Sequence, residues 1–301
     1  MSRSNATQQT PQASVRTGLI GRQIGASRSP WLHEREAQAQ GLALSYTLFD
    51  FAALGMDETH LAAQLAAAET AGYAGVNITY PYKQAVIDLL DELSPEAARI
   101  GAVNTVKFSV GKRVGHNTDV VGFAESMRTG LPNASLEQVL QLGAGGGGAA
   151  TAQALLDLGV RSLLVCDQHE GRAATLVRRL QDGSSARRAA SIDDPLSLID
   201  TVDGVVNATP MGMAAHPQAP IDTSRLASRQ WVADIVYFPI ETELLRAARA
   251  RGCATLDGSR MVVHQAASAF EIFTGRKADP ARMLASFMEF SGTVPAQAAR
   301  R

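Results

Sequence analysis

The chain alternates short runs of β-branched and aromatic residues with longer stretches whose apolar side chains recur every three or four positions, the pattern of an α/β protein. Predicted strands cover residues 17–20, 44–51, 74–79 and 102–108. Between them the pattern predicts helices over 29–39, 57–71 and 83–93, the first opening on a serine with Pro30 in its first turn. A further amphipathic helix is predicted over 120–127. The following TGLPNAS, with Gly130, Pro132 and Asn133, is dense in turn formers and marks the best boundary between two units. A second series then runs strand 138–142, helix 149–158, strand 162–166, helix 171–180, strands 204–207 and 231–236, and helix 242–251. Two last helices are predicted over 260–273 and 280–290.

Composition narrows the partners. The 301 residues exceed one typical domain of about 150, and 46% hydrophobic side chains suffice for a sizeable core. With 28 basic against 29 acidic side chains, a net charge of −1 and no basic block, neither nucleic acid nor an anionic membrane is an expected partner. The opening MSRSNATQQTPQASVRT has no apolar h-region and reads as a disordered tail over 1–16. No stretch approaches the roughly 18 consecutive apolar residues of a spanning helix. Cys166 and Cys253 lie far apart inside apolar runs, so they read as buried small hydrophobes of a protein in the reducing cytoplasm. The histidines lack metal-ligand spacing, and no metal site is expected; His116, just before NTD, alone has a place near the cleft from which to shape substrate choice.

The second unit carries a dinucleotide motif. Gly143, Gly145 and Gly148 stand in GxGxxG spacing after a predicted strand and before a predicted helix. The first glycine permits the tight turn, the second lets backbone approach a pyrophosphate, the third allows close helix packing, and the helix start holds the anion. Asp167 ends the next strand, where such folds place the acid that binds the adenosine ribose 2′-hydroxyl; a carboxylate there repels a 2′-phosphate and favours NAD over NADP. Arg172 follows, placed either to pair with a phosphate or to stack on adenine. Asn207 to Met213, NATPMGM, leave the carboxyl end of a strand, and their two methionines read equally as core or as a nicotinamide pocket.

The first unit offers four polar clusters at predicted strand ends: Ser27 and Ser29, Asn77 and Thr79, Asn104 and Thr105, and Asn117 to Asp119. Each has a local reading, since serines before proline cap helices (Ser29 above all, ahead of Pro30) and asparagines make turns. Together, on sheet edges facing one cleft, they suit a substrate rich in hydroxyls. Lys83 and Asp119 both follow strands and are expected at the same sheet edge as an acid–base pair.

The stretches GASRSP, GYAGVNITYPYK, IGAVNT, GHNTDVVGF, LGAGGGGAA, VVNATPMGM, ADIVYFPIETELL and LDGSRMVVHQAASAF together resemble the shikimate/quinate dehydrogenase family, in the same order along nearly the whole chain. The likeness is strongest to its NAD-dependent quinate/shikimate branch. The resemblance implies an N-terminal mixed/parallel α/β substrate domain (17–130 plus 260–292), a Rossmann-type domain (131–259), and C-terminal helices that pack back on the first. It implies reversible oxidation of shikimate to 3-dehydroshikimate with NAD, quinate being a second candidate substrate, in a monomer or homodimer. Lys83 and Asp119 match the catalytic pair, Ser27 and Ser29 the carboxylate ligands, Thr79, Asn104 and Gln265 the ring-hydroxyl ligands, and Tyr237 the pocket-wall tyrosine. Dinucleotide contacts are implied for Gly143, Ala144, Gly145, Gly146, Gly147, Gly148, Asp167, Arg172, Asn207, Ala208, Thr209, Pro210, Met211, Met213, Gly258 and Met261. Ser29 departs from the threonine common in quinate users, and Tyr80 is bulkier than the usual valine, though strand alternation turns it from the pocket. Two other readings remain: a methylene-tetrahydrofolate dehydrogenase-like enzyme, which the 5% aromatic content disfavours, and a non-catalytic NAD or metabolite sensor, which the presence of Lys83 and Asp119 disfavours.

Overall fold

The computed structural model describes residues 14–181 and 188–293. Its first half runs β1 (Val15–Gly21), α1 (Ser29–Ala39), β2 (Leu44–Asp50), α2 (Leu61–Thr70), β3 (Gly75–Ile78), β4 (Glu92–Leu93), α3 (Pro95–Ile100), β5 (Thr105–Ser109), β6 (Lys112–His116) and α4 (Thr118–Gly130). These strands form a mixed sheet in the order β2-β1-β3-β5-β6-β4. Most of the expected tail, 1–13, lies outside the described residues. Its last part is not a tail: Val15 and Arg16 pair with Leu44 and Ser45, and Arg16 donates to the Ala71 carbonyl at 2.8 Å while covering the Tyr73 ring.

One local expectation fails and two elements were not predicted, each for an identifiable reason. The helix predicted over 83–93 is only a short 3₁₀ turn, Ala85–Leu89, after which Leu90 is extended. Asp91 and Ser94 donate their amides to the Arg113 and Gly115 carbonyls, so pairing with β6 takes the backbone bonds a longer helix needs. The next segment, given no element by the pattern, is helix α3: the Ser94 side chain accepts from the Ala97 amide, Pro95 sits in the first turn, and Gly101 ends it at φ +62°. The stretch after residue 109 folds as a hairpin because Val110 and Gly111 adopt φ values of +27° and +74°, left-handed turn geometry that reverses β5 into β6.

The second half contains β7 (Gln138–Leu142), α5 (Gly146–Asp157), β8 (Ser162–Cys166), α6 (Arg172–Gln181), β9 (Ala189–Ser191), β10 (Gly204–Asn207), β11 (Trp231–Asp234), α7 (Glu243–Ala250) and β12 (Ala254–Leu256). The sheet is parallel throughout, in the order β12-β11-β10-β7-β8-β9. Taken by appearance in this half, that is the doubly wound order of a Rossmann fold, with its switch point between β7 and β10. The short edge strands β9 and β12 carried too little pattern to be predicted.

Helices α8 (Ser259–Thr274) and α9 (Pro280–Thr293) return to the first half, as expected. Leu32 and Ala37 of α1 share a core with Val263, Phe270, Met283 and Phe287. Buried Glu36 receives two bonds from the Arg282 guanidinium, at 2.6 and 2.8 Å, a bidentate fork joining α1 to α9. Helix α4 couples the halves: Val120, Phe123, Ala124 and Met127 share one core with Ala149, Ala150 and Leu155 of α5. On α4's other side, Gly122 lets α8 approach so closely that a β-carbon there would stand 2.8 Å from the Met261 carbonyl oxygen.

Candidate active site

In the first sheet β5 runs antiparallel to both β3 and β6, so the carboxyl ends of β3 and β6 and the start of β5 share one edge. This edge gathers Asn77, Thr79, Lys83, Asn104, Thr105 and Asp119. The turn after β3 is set by a bond from the Tyr82 amide to the Thr79 carbonyl and anchored by the Tyr82 ring, fully buried against Phe51. Lys83 is thereby aimed along the edge, and its carbonyl accepts from the Val103 amide at 2.7 Å. Asp119 occupies the first turn of α4, whose N-cap Asn117 accepts from the Asp119 amide.

The Lys83 ammonium donates to Asp119 Oδ2 at 2.6 Å; the two side chains are 19% and 9% exposed, so the pair is mostly shielded yet reachable. The lysine stem lies against the other half of the molecule: a β-carbon on Gly146, the first residue of α5, would stand 3.3 Å from Lys83 Cδ. Lys83 thus does not project into bulk solvent but reaches the glycine-rich turn.

A buried hydrogen-bond web supports the edge. Asn77 accepts from the Tyr46 hydroxyl at 2.8 Å and donates to Thr105 Oγ1 and the Asn104 carbonyl. Asn104 accepts from the Thr118 amide at 2.8 Å and its own amide donates to Thr118 Oγ1, fastening the start of α4. Thr118 in turn faces Gln265 of α8 at 3.5 Å, and Gln265 donates to the Val262 carbonyl. Thr79 is half-buried beside Gly21, while Tyr80 is 76% exposed, the outward orientation that strand alternation predicts. Ser27 and Ser29 are half-buried and 3.2 Å apart, hydroxyl to hydroxyl. Ser29 does not cap α1: the N-cap is Arg28, whose side chain makes no cap bond, and it is Ser27 Oγ that accepts from the amide of Ser29, the first residue of the helix, at 3.3 Å. Burial raises the Tyr46 phenol's pKa, partly offset by a hydrogen bond with Ser29. Burial also raises that of half-buried Tyr237, which feels the charges of both Arg28 and Asp119. His116 lines a cavity of about 420 Å³ with Ser94, Glu96, Thr118 and Glu271.

The second sheet's switch point has the geometry its motif predicts. Gly143 holds φ +99° with its amide bonded to the Cys166 carbonyl, and a β-carbon there would collide with the Ala208 carbonyl at 2.6 Å. Gly148 packs onto the Gly143 carbonyl, whereas at Gly145, the N-cap of α5, an added β-carbon meets nothing within 4 Å. The helix start is therefore open and uncapped by any side chain, which fits a pyrophosphate. Gly147 faces Ile235. Ala144 donates its amide to Asp167 Oδ2 at 2.8 Å; Oδ1 accepts from the His169 amide and lies 3.8 Å from Arg172. Burial alone would raise the Asp167 pKa, but bonds from His169 and Ala144 and the charge of Arg172 hold it below the ordinary carboxylate range.

In the loop after β10, Asn207 is wholly buried and shapes the turn: it accepts from the Thr209 amide and hydroxyl and donates to the Met211 carbonyl and to Asp234. Ala208 adjoins Gly143, Thr209 and Met211 are half-buried, and Pro210 and Met213 are exposed. Gly258 closes tightly on the carbonyls of Ile235 and Val236, and Met261 is buried in the core that joins α4 to α5. Among the described residues no group of three or more His, Cys, Asp or Glu could hold a metal, and no helix is long and apolar enough to cross a membrane.

Four supporting residues escaped the sequence reading. Gln141 is fully buried, donates to the Gly143 and Gly148 carbonyls at 2.9 and 2.8 Å, and so locks the glycine loop; a glutamine inside the apolar run VLQL was its signal. Asp234 binds Asn207, Thr242 and the Val236 amide, and burial pushes its carboxyl up to about 6 despite those bonds. Tyr46 and His169 carried no pattern that marked them.

Residues 19–106 match the model of the shikimate dehydrogenase substrate binding domain and residues 258–286 that of the shikimate 5′-dehydrogenase C-terminal domain. A shikimate dehydrogenase (NADP(+)) of Streptomyces avermitilis is 53% identical over 94% of this chain and 98% of its own. A quinate/shikimate dehydrogenase (NAD(+)) of Corynebacterium glutamicum is 48% identical over 91% of this chain and 98% of its own. The solved quinate dehydrogenase from Corynebacterium glutamicum in complex with NAD superposes with a TM-score of 0.86, covering 92% of this chain and 99% of that one. Likeness of this extent, through both sheets and the returning helices, makes the chain a member of the shikimate dehydrogenase family.

Proposed function

We propose that the chain is an NAD-dependent dehydrogenase that reversibly oxidises the C3 hydroxyl of shikimate to 3-dehydroshikimate, with quinate as the further substrate to be ranked against it. The observation that carries this reading is the Lys83–Asp119 pair, 2.6 Å apart and seated against the first residue of the glycine-rich helix. Residues 17–130 with 260–292 bind the acid, and 131–259 bind the dinucleotide.

Oxidation of a secondary alcohol removes a hydride and a proton. When bound, the dinucleotide accepts the hydride. The remaining tasks fall to the chain's own side chains. Asp119 holds the substrate hydroxyl, and Lys83, bonded to it at 2.6 Å, exchanges the hydroxyl proton. The compact Lys83 ammonium also stabilises negative charge growing on the oxygen. Ser27 and Ser29 receive the acid's carboxylate; Thr79, Asn104 and Gln265 receive ring hydroxyls, with Tyr237 as the wall. Most hydrogen-bonding capacity of Asn104 serves Thr118, so its part in recognition is shared with holding α4 in place.

The cradle for the dinucleotide is Gly143 to Gly148, with Asp167 for the adenosine ribose and Ala208 to Met213 beside the nicotinamide. NAD is preferred because the Asp167 carboxylate is ionised and fixed by the Ala144 and His169 amides, which places negative charge where a 2′-phosphate would lie. Arg172 lies 3.8 Å from that carboxylate. The two cysteines, both free, suit a reducing cytoplasm.

Initial rates for shikimate and quinate, each with NAD and NADP, test the reading. Absorbance at the nicotinamide band should rise fastest with NAD. Binding of either acid with no rise would make the protein a sensor, and faster turnover with NADP would reverse the role given to Asp167.

A further inference from the structure

Gln141 is fully buried on β7, in the apolar run that leads into the glycine-rich turn, and both ends of its side-chain amide are engaged. Nε2 donates to two carbonyls at opposite ends of the turn, Gly143 at 2.9 Å and Gly148 at 2.8 Å, one hydrogen for each. Oε1 accepts from the hydroxyl of Thr151 of α5, also fully buried, at 2.9 Å. That last bond orients the amide: with its oxygen toward Thr151, its nitrogen faces the carbonyls. One side chain thus clasps the first and third glycines of the GxGxxG motif together.

The clasp reaches the ribose acid through a single peptide. In the planar trans peptide between Gly143 and Ala144, the carbonyl and the N–H point to opposite sides. With the Gly143 carbonyl held by Gln141, the Ala144 amide is turned the other way, where it donates to Asp167 Oδ2 at 2.8 Å. Gly143 sits at φ +99° and has the widest backbone freedom of any residue, so the direction of this peptide needs an outside anchor. A glycine carbonyl released from Gln141 is also free to turn toward a bound anion and repel it. We propose that Gln141 is a positioning residue for the dinucleotide: by clasping the Gly143 and Gly148 carbonyls it keeps the turn's amides toward the pyrophosphate and the Ala144 amide on Asp167, and so sets both the affinity for NAD and the preference over NADP. The inference rests on the reading that Asp167 binds the adenosine ribose, and extends it to a fully buried side chain.

The test compares wild type, Gln141→Leu and Thr151→Val for the Kd of NAD, NADP and shikimate, by calorimetry, alongside kcat at saturating dinucleotide. Gln141→Leu should weaken NAD about tenfold or more and NADP less, narrowing the preference for NAD about threefold or more. Its shikimate Kd should stay within about twofold of wild type and its kcat within about threefold. Thr151→Val keeps the glutamine but removes the bond that orients it; it should weaken NAD about threefold in the same pattern, and it carries the test if the leucine variant does not fold. Equal weakening of NAD and shikimate would mark a general loosening of the fold and overturn the proposal. So would unchanged NAD affinity in both variants, or equal weakening of NAD and NADP, which would break the link through Ala144 to Asp167. A wild-type protein that binds NADP more tightly than NAD removes the reading of Asp167 and this inference together; a wild type that prefers NAD, with both variants unaffected, removes the inference alone.

Discussion

Lys83 and Gly146 belong to different halves of the chain, yet a β-carbon on Gly146 would stand 3.3 Å from Lys83 Cδ. The lysine that follows β3 and the start of the glycine-rich helix α5 are in contact. Gly146→Ala therefore displaces the lysine stem by a few tenths of an ångström. The expected result is a fall in kcat of about tenfold, because small misplacements of a reacting group are costly. Thermal stability should hold or rise, since alanine is a better helix former than glycine. Loss of stability without loss of kcat would mean that the contact is packing only.

Asp167→Ser removes the charge facing a 2′-phosphate and releases Arg172, now 3.8 Å from it. The ratio of kcat/KM with NADP to that with NAD should rise by about tenfold or more. Kinetics with both dinucleotides checks this; an unchanged ratio would show that the selecting charge lies elsewhere.

The doubly wound half was legible almost strand by strand, because a parallel sheet buried on both faces writes itself as apolar runs such as VLQLG and SLLVC. The switch point was legible too, since Gly143 and Gly148 occupy positions where a β-carbon would strike backbone. Residues 83–93 were misread because backbone pairing decided them: Glu92 and Leu93 pair with β6, and a two-residue strand has no alternating pattern to read. Lys83 and Asp119 were legible as residues that follow strands, but their meeting required β5 to run antiparallel between β3 and β6. Tyr46 was not legible, because its importance comes from what the fold brings around it.

Asn77→Leu should destabilise the protein by about 1–3 kcal/mol. It takes the acceptor from the buried Tyr46 hydroxyl, whereas the Asn104 carbonyl keeps its bond from the Ile78 amide and the Thr105 hydroxyl its bond to Asn104 Oδ1. Urea denaturation measures the difference; a loss below about 1 kcal/mol would show that the web re-forms around leucine.

His33 is fully buried among Tyr46, Phe270 and Phe273, and burial lowers its pKa to about 3 from an ordinary 6.5. Between these values the unfolded chain binds a proton that the folded chain does not, so stability contributed by neutral His33 is present above pH 6.5 and lost as pH falls toward 3. The slope from this one group is at most about 1.4 kcal/mol per pH unit. His33→Gln should lower stability at neutral pH and flatten the decline over that window. A decline as steep as wild type would assign it to other groups.

The account turns on proton transfer by Lys83 to and from an alcohol held beside the glycine-rich turn. The most direct measurement is kcat for shikimate oxidation by wild type and Lys83→Ala at saturating dinucleotide, with the dinucleotide Kd measured in parallel. A fall of about 10²-fold or more in kcat with a dinucleotide Kd near that of wild type is the predicted result. Full activity in Lys83→Ala would contradict it.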